Sequence, residues 1–158
     1  MESTMERVKN IMNFVLSYVT AFLLIIMTAL VLWQVFTRYI LNDPSTFTEE
    51  LVRIILVWTS FLGAAYAFGT RQHMSLIFLK EGLKGKKKIL INVIIDILIL
   101  IFAVLVLIKG GYNLVSSTFT IKTPILQISK GLVYSVGPIS GIFILFYQMI
   151  NLYEDFKS

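Results

Sequence analysis

Residues 14–36 read FVLSYVTAFLLIIMTALVLWQVF, and no charged residue occurs between Ile11 and Thr37. A helix needs about 20 consecutive apolar residues to cross the hydrocarbon layer of a bilayer, so this stretch predicts a transmembrane helix. The competing reading is a cleaved signal peptide, whose apolar region is about 7 to 15 residues long and ends in small residues. Here the run ends instead in Leu32-Trp33-Gln34-Val35-Phe36. Three further apolar stretches follow, at Leu51–Phe68, at Ile89 to about Ile108, and at Gly131–Tyr153. The second opens near Arg53, whose long stem carries its charge back to the interface. It is short enough that it is expected to need tilt or a neighbour to sit squarely in lipid. The predicted fold is all-α, with four transmembrane helices in one domain spanning 1–158 and no linker long enough to separate two units.

The composition agrees. Of 158 residues, 57% are hydrophobic and 15% charged, with a mean hydropathy of +0.83, whereas soluble domains carry roughly a quarter charged residues. The chain has no cysteine and one histidine, His73, which excludes a disulfide framework, a Cys-based metal site and a multi-His metal site. The net charge of +5 sits mostly in one loop beside apolar spans. That is a membrane-orientation pattern and not the exposed basic face of a nucleic-acid binder. No nucleophile–base pair, Walker loop or Rossmann glycine pattern occurs, so neither an enzyme nor a cofactor is expected.

Lys and Arg concentrate on the cytoplasmic side of membrane proteins. Arg7, Lys9, Arg71, Lys80, Lys84, Lys86, Lys87, Lys88 and Lys157 fall on one side of the four spans, against Arg38, Arg53, Lys109, Lys122 and Lys130 on the other. Both termini and the Lys-rich middle loop are therefore expected in the cytoplasm. Trp33, Tyr39, Tyr112 and Tyr134 then lie near the outer ends of their spans, as an aromatic belt would place them.

A few residues stand out chemically. Asp96 lies about seven residues inside the third span, roughly 11 Å along the axis, where a carboxylate is costly unless paired, hydrated or protonated. It is either a proton or cation site or a structural partner of Arg71 or His73, and the lack of a second deep acid favours the structural role. Lys109, thirteen residues further on, is expected near the outer end, meeting Glu49, Glu50 or headgroups. Glu49, Glu50 and Arg53 share one helix face and form either a surface pair or a device that fixes the helix entry or faces a partner. Before them Asn42-Asp43-Pro44-Ser45 is a turn signal, and Thr46 or Thr48 can cap the following helix. Thr59, Gly63 and Ala67, with Ser60 and Ala64 alongside, form a small-residue stripe suited to close helix approach, and Gly137 and Gly141 repeat it around Pro138.

Thr48-Glu49-Glu50-Leu51-Val52-Arg53, Trp58, Leu62-Gly63-Ala64-Ala65 and Arg71-Gln72-His73 together resemble the core of the small membrane subunit of tripartite ATP-independent periplasmic (TRAP) transporters. Phe36-Thr37-Arg38-Tyr39 upstream is similar to the end of that family's first helix. Thr123-Pro124-Ile125-Leu126-Gln127-Ile128, followed by Tyr134 and Pro138, is similar to its last segment. Ile77 and Ser129 depart from the pattern, standing where the family often has an acid and a proline. The resemblance implies a four-helix subunit in the bacterial inner membrane that joins a large membrane subunit, which binds sodium and an organic anion such as sialic acid or a C4-dicarboxylate. A periplasmic binding protein would deliver that substrate. It further implies that Arg38, Glu49, Glu50, Arg53, Trp58, Gly63, Ala64 and Ala67 belong to a partner interface or docking surface, with Asp96, Arg71 and His73 as buried structural charges. A small multidrug-type proton-coupled transporter is the alternative, though its buried acid would have to be Asp96; an unrelated structural membrane subunit is another.

Overall fold

The computed structural model describes residues 4–70 and 86–157. Their regular elements are helical: α1 Thr4–Tyr39, α2 Thr46–Gly69, α3 Lys86–Phe102, a π-helical segment Ala103–Gly110, α4 Gly111–Thr118, α5 Lys130–Tyr134 and α6 Val136–Lys157. Among the described residues four stretches are long and apolar enough to cross a membrane: Met5–Tyr39, Thr46–Gly69, Val93–Thr118 and Lys130–Leu152. Arg71 and His73 lie outside the described residues. The outer end of the bundle is the end carrying the 40–45 and 119–129 connections.

With 36 residues, α1 is about 54 Å long at 1.5 Å per residue, well beyond the roughly 30 Å hydrocarbon layer. Its exit is turned by Asn42 in the left-handed region (φ 54°), a conformation that the short polar side chain of Asn tolerates. The Asp43 amide donates back to the Thr37 carbonyl (3.1 Å). Neither Thr46 nor Thr48 caps α2. Ser45 holds the capping position without a side-chain bond, and the Thr48 hydroxyl donates to the Ser45 carbonyl (2.9 Å), a local bond that competes with capping. Because Thr46–Glu50 and Gly69 are helical, α2 has 24 residues, about 36 Å, and it spans the layer without the shortfall expected of Leu51–Phe68.

The third span also outruns its predicted end at Ile108. Gly110 (φ −64°, ψ −43°) and Gly111 (φ −61°, ψ −43°) are both helical, and in a bilayer the backbone has strong reason to stay internally bonded. Gly111 is needed there for another reason: a Cβ would stand 2.8 Å from Pro138 Cδ on α6. Lys109 therefore sits within a continuous helix, not near its end, with its side chain exposed. The fourth span is broken at Ser135, between α5 and α6. Pro138 has no N–H to give the Tyr134 carbonyl, and helical bonding resumes with the Ile139 amide on Ser135 (3.2 Å).

Helix α6 is the centre of the bundle, packing on α2 and on α3 with its π-helical continuation, while α1 packs chiefly on α2. Half of the fourth span's most apolar window is buried within the chain, but only 6% of the first span's. The core joins Leu16, Leu62, Ala65, Ala103, Val136, Ile144 and Tyr147. Gly141 lets the π-helical segment approach, since a Cβ there would lie 2.8 Å from Leu107 Cβ. Towards the inner end two polar ties join α1 to α6: Tyr147 Oη donates to Asn13 Oδ1 (2.7 Å) and Lys9 Nζ to Asn151 Oδ1 (3.0 Å).

Candidate functional site

The chemistry at the outer end begins with Glu50, in the first turns of α2. Its carboxylate accepts the Ile125 amide on Oε2 (2.9 Å) and the Leu126 amide on Oε1 (3.1 Å). One side chain thus grips two consecutive amides of a connection 75 residues away in sequence, by bonds of the charge-assisted kind. The connection is shaped to receive it. Thr123 and Lys130 amides donate to the Ile128 and Ile121 carbonyls (2.8 Å each), Lys122 and Ser129 bridge as an antiparallel pair, and the Ile128 amide donates to Thr123 Oγ1 (3.1 Å). Gln127 turns the tip with φ 55°, its Nε2 donating to the Pro124 carbonyl (3.0 Å). Ser129 at the base donates to the Phe119 carbonyl. The result is a small clasp fastened across the start of α2.

The shared face of Glu49, Glu50 and Arg53 divides into two devices. Glu49 pairs with Arg53 along the helix, both side chains largely in the open, whereas Glu50 turns to the clasp. Among the described residues Lys109 pairs with neither acid. Clasp and helix enclose a groove of about 310 Å³ lined by Glu50, Arg53, Ile54, Val57, Lys130 and Tyr134, among others.

The remaining predicted site residues are spread along the bundle. Arg38 is exposed at the end of α1, Trp58 is half-buried, Ala64 is exposed and Ala67 half-buried. Gly63 faces α1, a Cβ there being 3.6 Å from Thr20 Cγ2, so part of the small-residue stripe is used within the chain. The other pair of glycines divides likewise: Gly141 is filled by α3's continuation, but a Cβ on Gly137 would meet nothing within 4 Å. Asp96 is 6% exposed and lies away from the outer groove; Arg71 and His73, its expected partners, are outside the described residues. Sequence reasoning missed Gly69, where a Cβ would stand 2.5 Å from the Tyr147 ring; nothing local marks a glycine at a helix end as a long-range contact. It also missed the bond from Glu50 to the clasp, for which the only sequence signal was that Glu50 and the 123–128 segment stand at the same end.

The model of the DctQ component of tripartite ATP-independent periplasmic transporters matches residues 27–158. The chain belongs to this family. Among curated relatives, the sialic acid TRAP transporter small permease protein SiaQ of Vibrio cholerae is 27% identical over 155 residues, covering 97% of this chain and 88% of that protein. A TRAP transporter small permease protein of Haemophilus influenzae is 30% identical over 140 residues, covering 89% of this chain and 86% of its own length. As a DctQ-family protein with four helices able to span a bilayer, the chain is a multi-pass membrane permease component and not an enzyme. The matched region begins inside α1 and takes in α2, its Glu50 latch and the whole clasp.

Proposed function

We propose that the chain is the small membrane subunit of a TRAP-type secondary transporter that takes up carboxylates in the class of sialic acid or C4-dicarboxylates across a bacterial inner membrane. The large membrane subunit carries out sodium-coupled movement of the substrate; this chain braces it and helps the periplasmic binding protein dock. The similarity to the Vibrio cholerae sialic acid protein supports the substrate class. The charge count supports an orientation with both ends in the cytoplasm, which puts the clasp on the periplasmic side.

The observation that carries the bracing role is the contrast between helices. The first span buries 6% of its most apolar window within the chain and leaves Phe14, Tyr18, Phe22, Ile25 and Leu32 exposed, while small residues such as Ala64 stand open on α2. Open small residues suit close packing by a helix from another subunit. Arg38, Glu49, Arg53 and the clasp form the outward rim, and Asp96 serves as a buried structural charge of the third span. Co-expression with the large subunit of the same transporter tests the reading: the two proteins are expected to co-purify in mild detergent, and Ala64→Trp is expected to weaken their association. Co-purification that survives bulky substitutions at Ala64 and Ala67, or a transporter fully active without this chain, would overturn it.

A further inference from the structure

Two grooves of about 310 Å³ each adjoin at Tyr134. The outer one holds Arg53 and Lys130 together with the carboxylate of Glu50, beside Ile54, Val57 and Val133. The other is lined by Phe61, Val106, Leu107, Leu114 and the glycines 110, 111 and 137, with Tyr134 shared between the two. On α2 the same stripe runs through both: Glu50, Arg53/Ile54, Val57 and Phe61 follow at helical spacing. It descends roughly 16 Å from the outer interface into the apolar layer. A polar mouth thus adjoins an apolar trough that runs along α2.

We propose that the two adjoining grooves together bind one glycerophospholipid, its phosphate held at the mouth by Lys130 and one acyl chain lying over Gly137 in the trough. The charges favour it. The Glu50 carboxylate is taken up by the clasp amides and Glu49 neutralises Arg53 along the helix. Lys130 makes no ion pair among the described residues and stands where a lysine contributes a compact charge to a phosphate. Its position is fixed, since its own amide closes the base of the clasp on Ile121 (2.8 Å). The trough is also bare by construction. A Cβ on Gly137 meets nothing within 4 Å, although the residue is buried in the bundle. This glycine therefore opens space, where Gly141 one turn later is packed against Leu107. An apolar trough with a cationic mouth at headgroup level matches a phospholipid, not a soluble anion, which has no use for the trough, nor a peptide helix, which would leave the cation without a partner.

Native mass spectrometry of the purified full chain, delipidated and then offered phosphatidylglycerol, tests the proposal. One phospholipid per chain is expected to be retained. Diacylglycerol, which lacks the phosphate, is expected to bind at least about tenfold more weakly, the scale of one lost charge-assisted contact, and glycerol 3-phosphate, which lacks the chains, at least as much more weakly through the loss of buried methylenes. Gly137→Phe, which fills the trough, and Lys130→Gln are expected to reduce retention to a similar degree; Leu98→Ala, exposed on α3 and outside both grooves, is expected to leave it unchanged. Circular dichroism checks folding, and Val106→Trp blocks the trough from its opposite wall should Gly137→Phe not fold. Diacylglycerol retained as well as phosphatidylglycerol, or wild-type retention by folded Lys130→Gln and trough-filling variants, would overturn the assignment. So would a photoreactive residue at Leu114 that, in membranes holding the whole transporter, cross-links to protein and not to lipid.

Discussion

Gly69→Ala places a methyl group against a ring that has nowhere to go. The new Cβ would lie 2.5 Å from Tyr147 Cε1 and Cζ and 2.6 Å from Cδ1, about 0.9 Å short of the 3.4 Å at which ordinary contact begins. Tyr147 is fully buried and anchored through its hydroxyl to Asn13, so the ring can retreat only by straining the core or releasing that bond. Overpacking costs about 1–3 kcal/mol and a lost neutral hydrogen bond about 0.5–1.5 kcal/mol. The two together give an expected destabilisation of about 1.5–4.5 kcal/mol, a shift of roughly 13- to 2,000-fold in the folding equilibrium. Reversible unfolding of the purified chain in mixed micelles, followed by circular dichroism, measures it. The double-mutant cycle isolates the cause: Tyr147→Ala removes the ring atoms in question, and in that background Gly69→Ala is expected to cost less than about 0.5 kcal/mol. An equal cost in both backgrounds would refute the packing argument and shift the effect to the end of α2 itself.

Three other perturbations probe the outer end and the placement of charge. Glu50→Gln removes the carboxylate that grips the clasp, so the Ile125 and Leu126 amides are expected to exchange with deuterium faster than in the wild type while the α6 amides do not; unchanged protection at both positions would show that the clasp holds itself. Asp96→Asn keeps the shape of a buried side chain and is expected to leave ion coupling of the assembled transporter intact; normal folding with coupling lost would assign Asp96 to ion transport. A cysteine at Ser158 is expected to react with membrane-impermeant reagents only after the cytoplasmic side is opened, and its labelling from outside intact cells would reverse the orientation.

The spans were legible because the bilayer makes a one-dimensional demand: enough apolar residues in a row. Their ends were less so. Thr46 to Glu50 are polar apart from Phe47, yet they continue α2 outward, where a helix no longer needs an unbroken apolar run. The third span runs past its expected end at Ile108 through Gly110-Gly111, where the missing Cβ of Gly111 makes room for Pro138. The stripe of small residues announced close packing without saying which positions are filled from within the chain, and Gly137 and Gly141 proved opposite in kind. Glu50 was singled out for its place beside Glu49 and Arg53, but its partners are backbone amides in a loop distant in sequence, and backbone donors carry no sequence signature.

On the proposed function the chain assists transport and does not perform it. A secondary transporter needs a site near the midplane, commonly built from broken helices in repeated halves that move around it, and this sequence shows no such repeat. The most direct measurement is carboxylate uptake into liposomes under a sodium gradient, comparing this protein alone with the same protein joined by its large membrane subunit and soluble binding protein. Uptake is expected only from the complete set, with the single chain no faster than empty liposomes. Sodium- or proton-driven flux through this chain alone would contradict it.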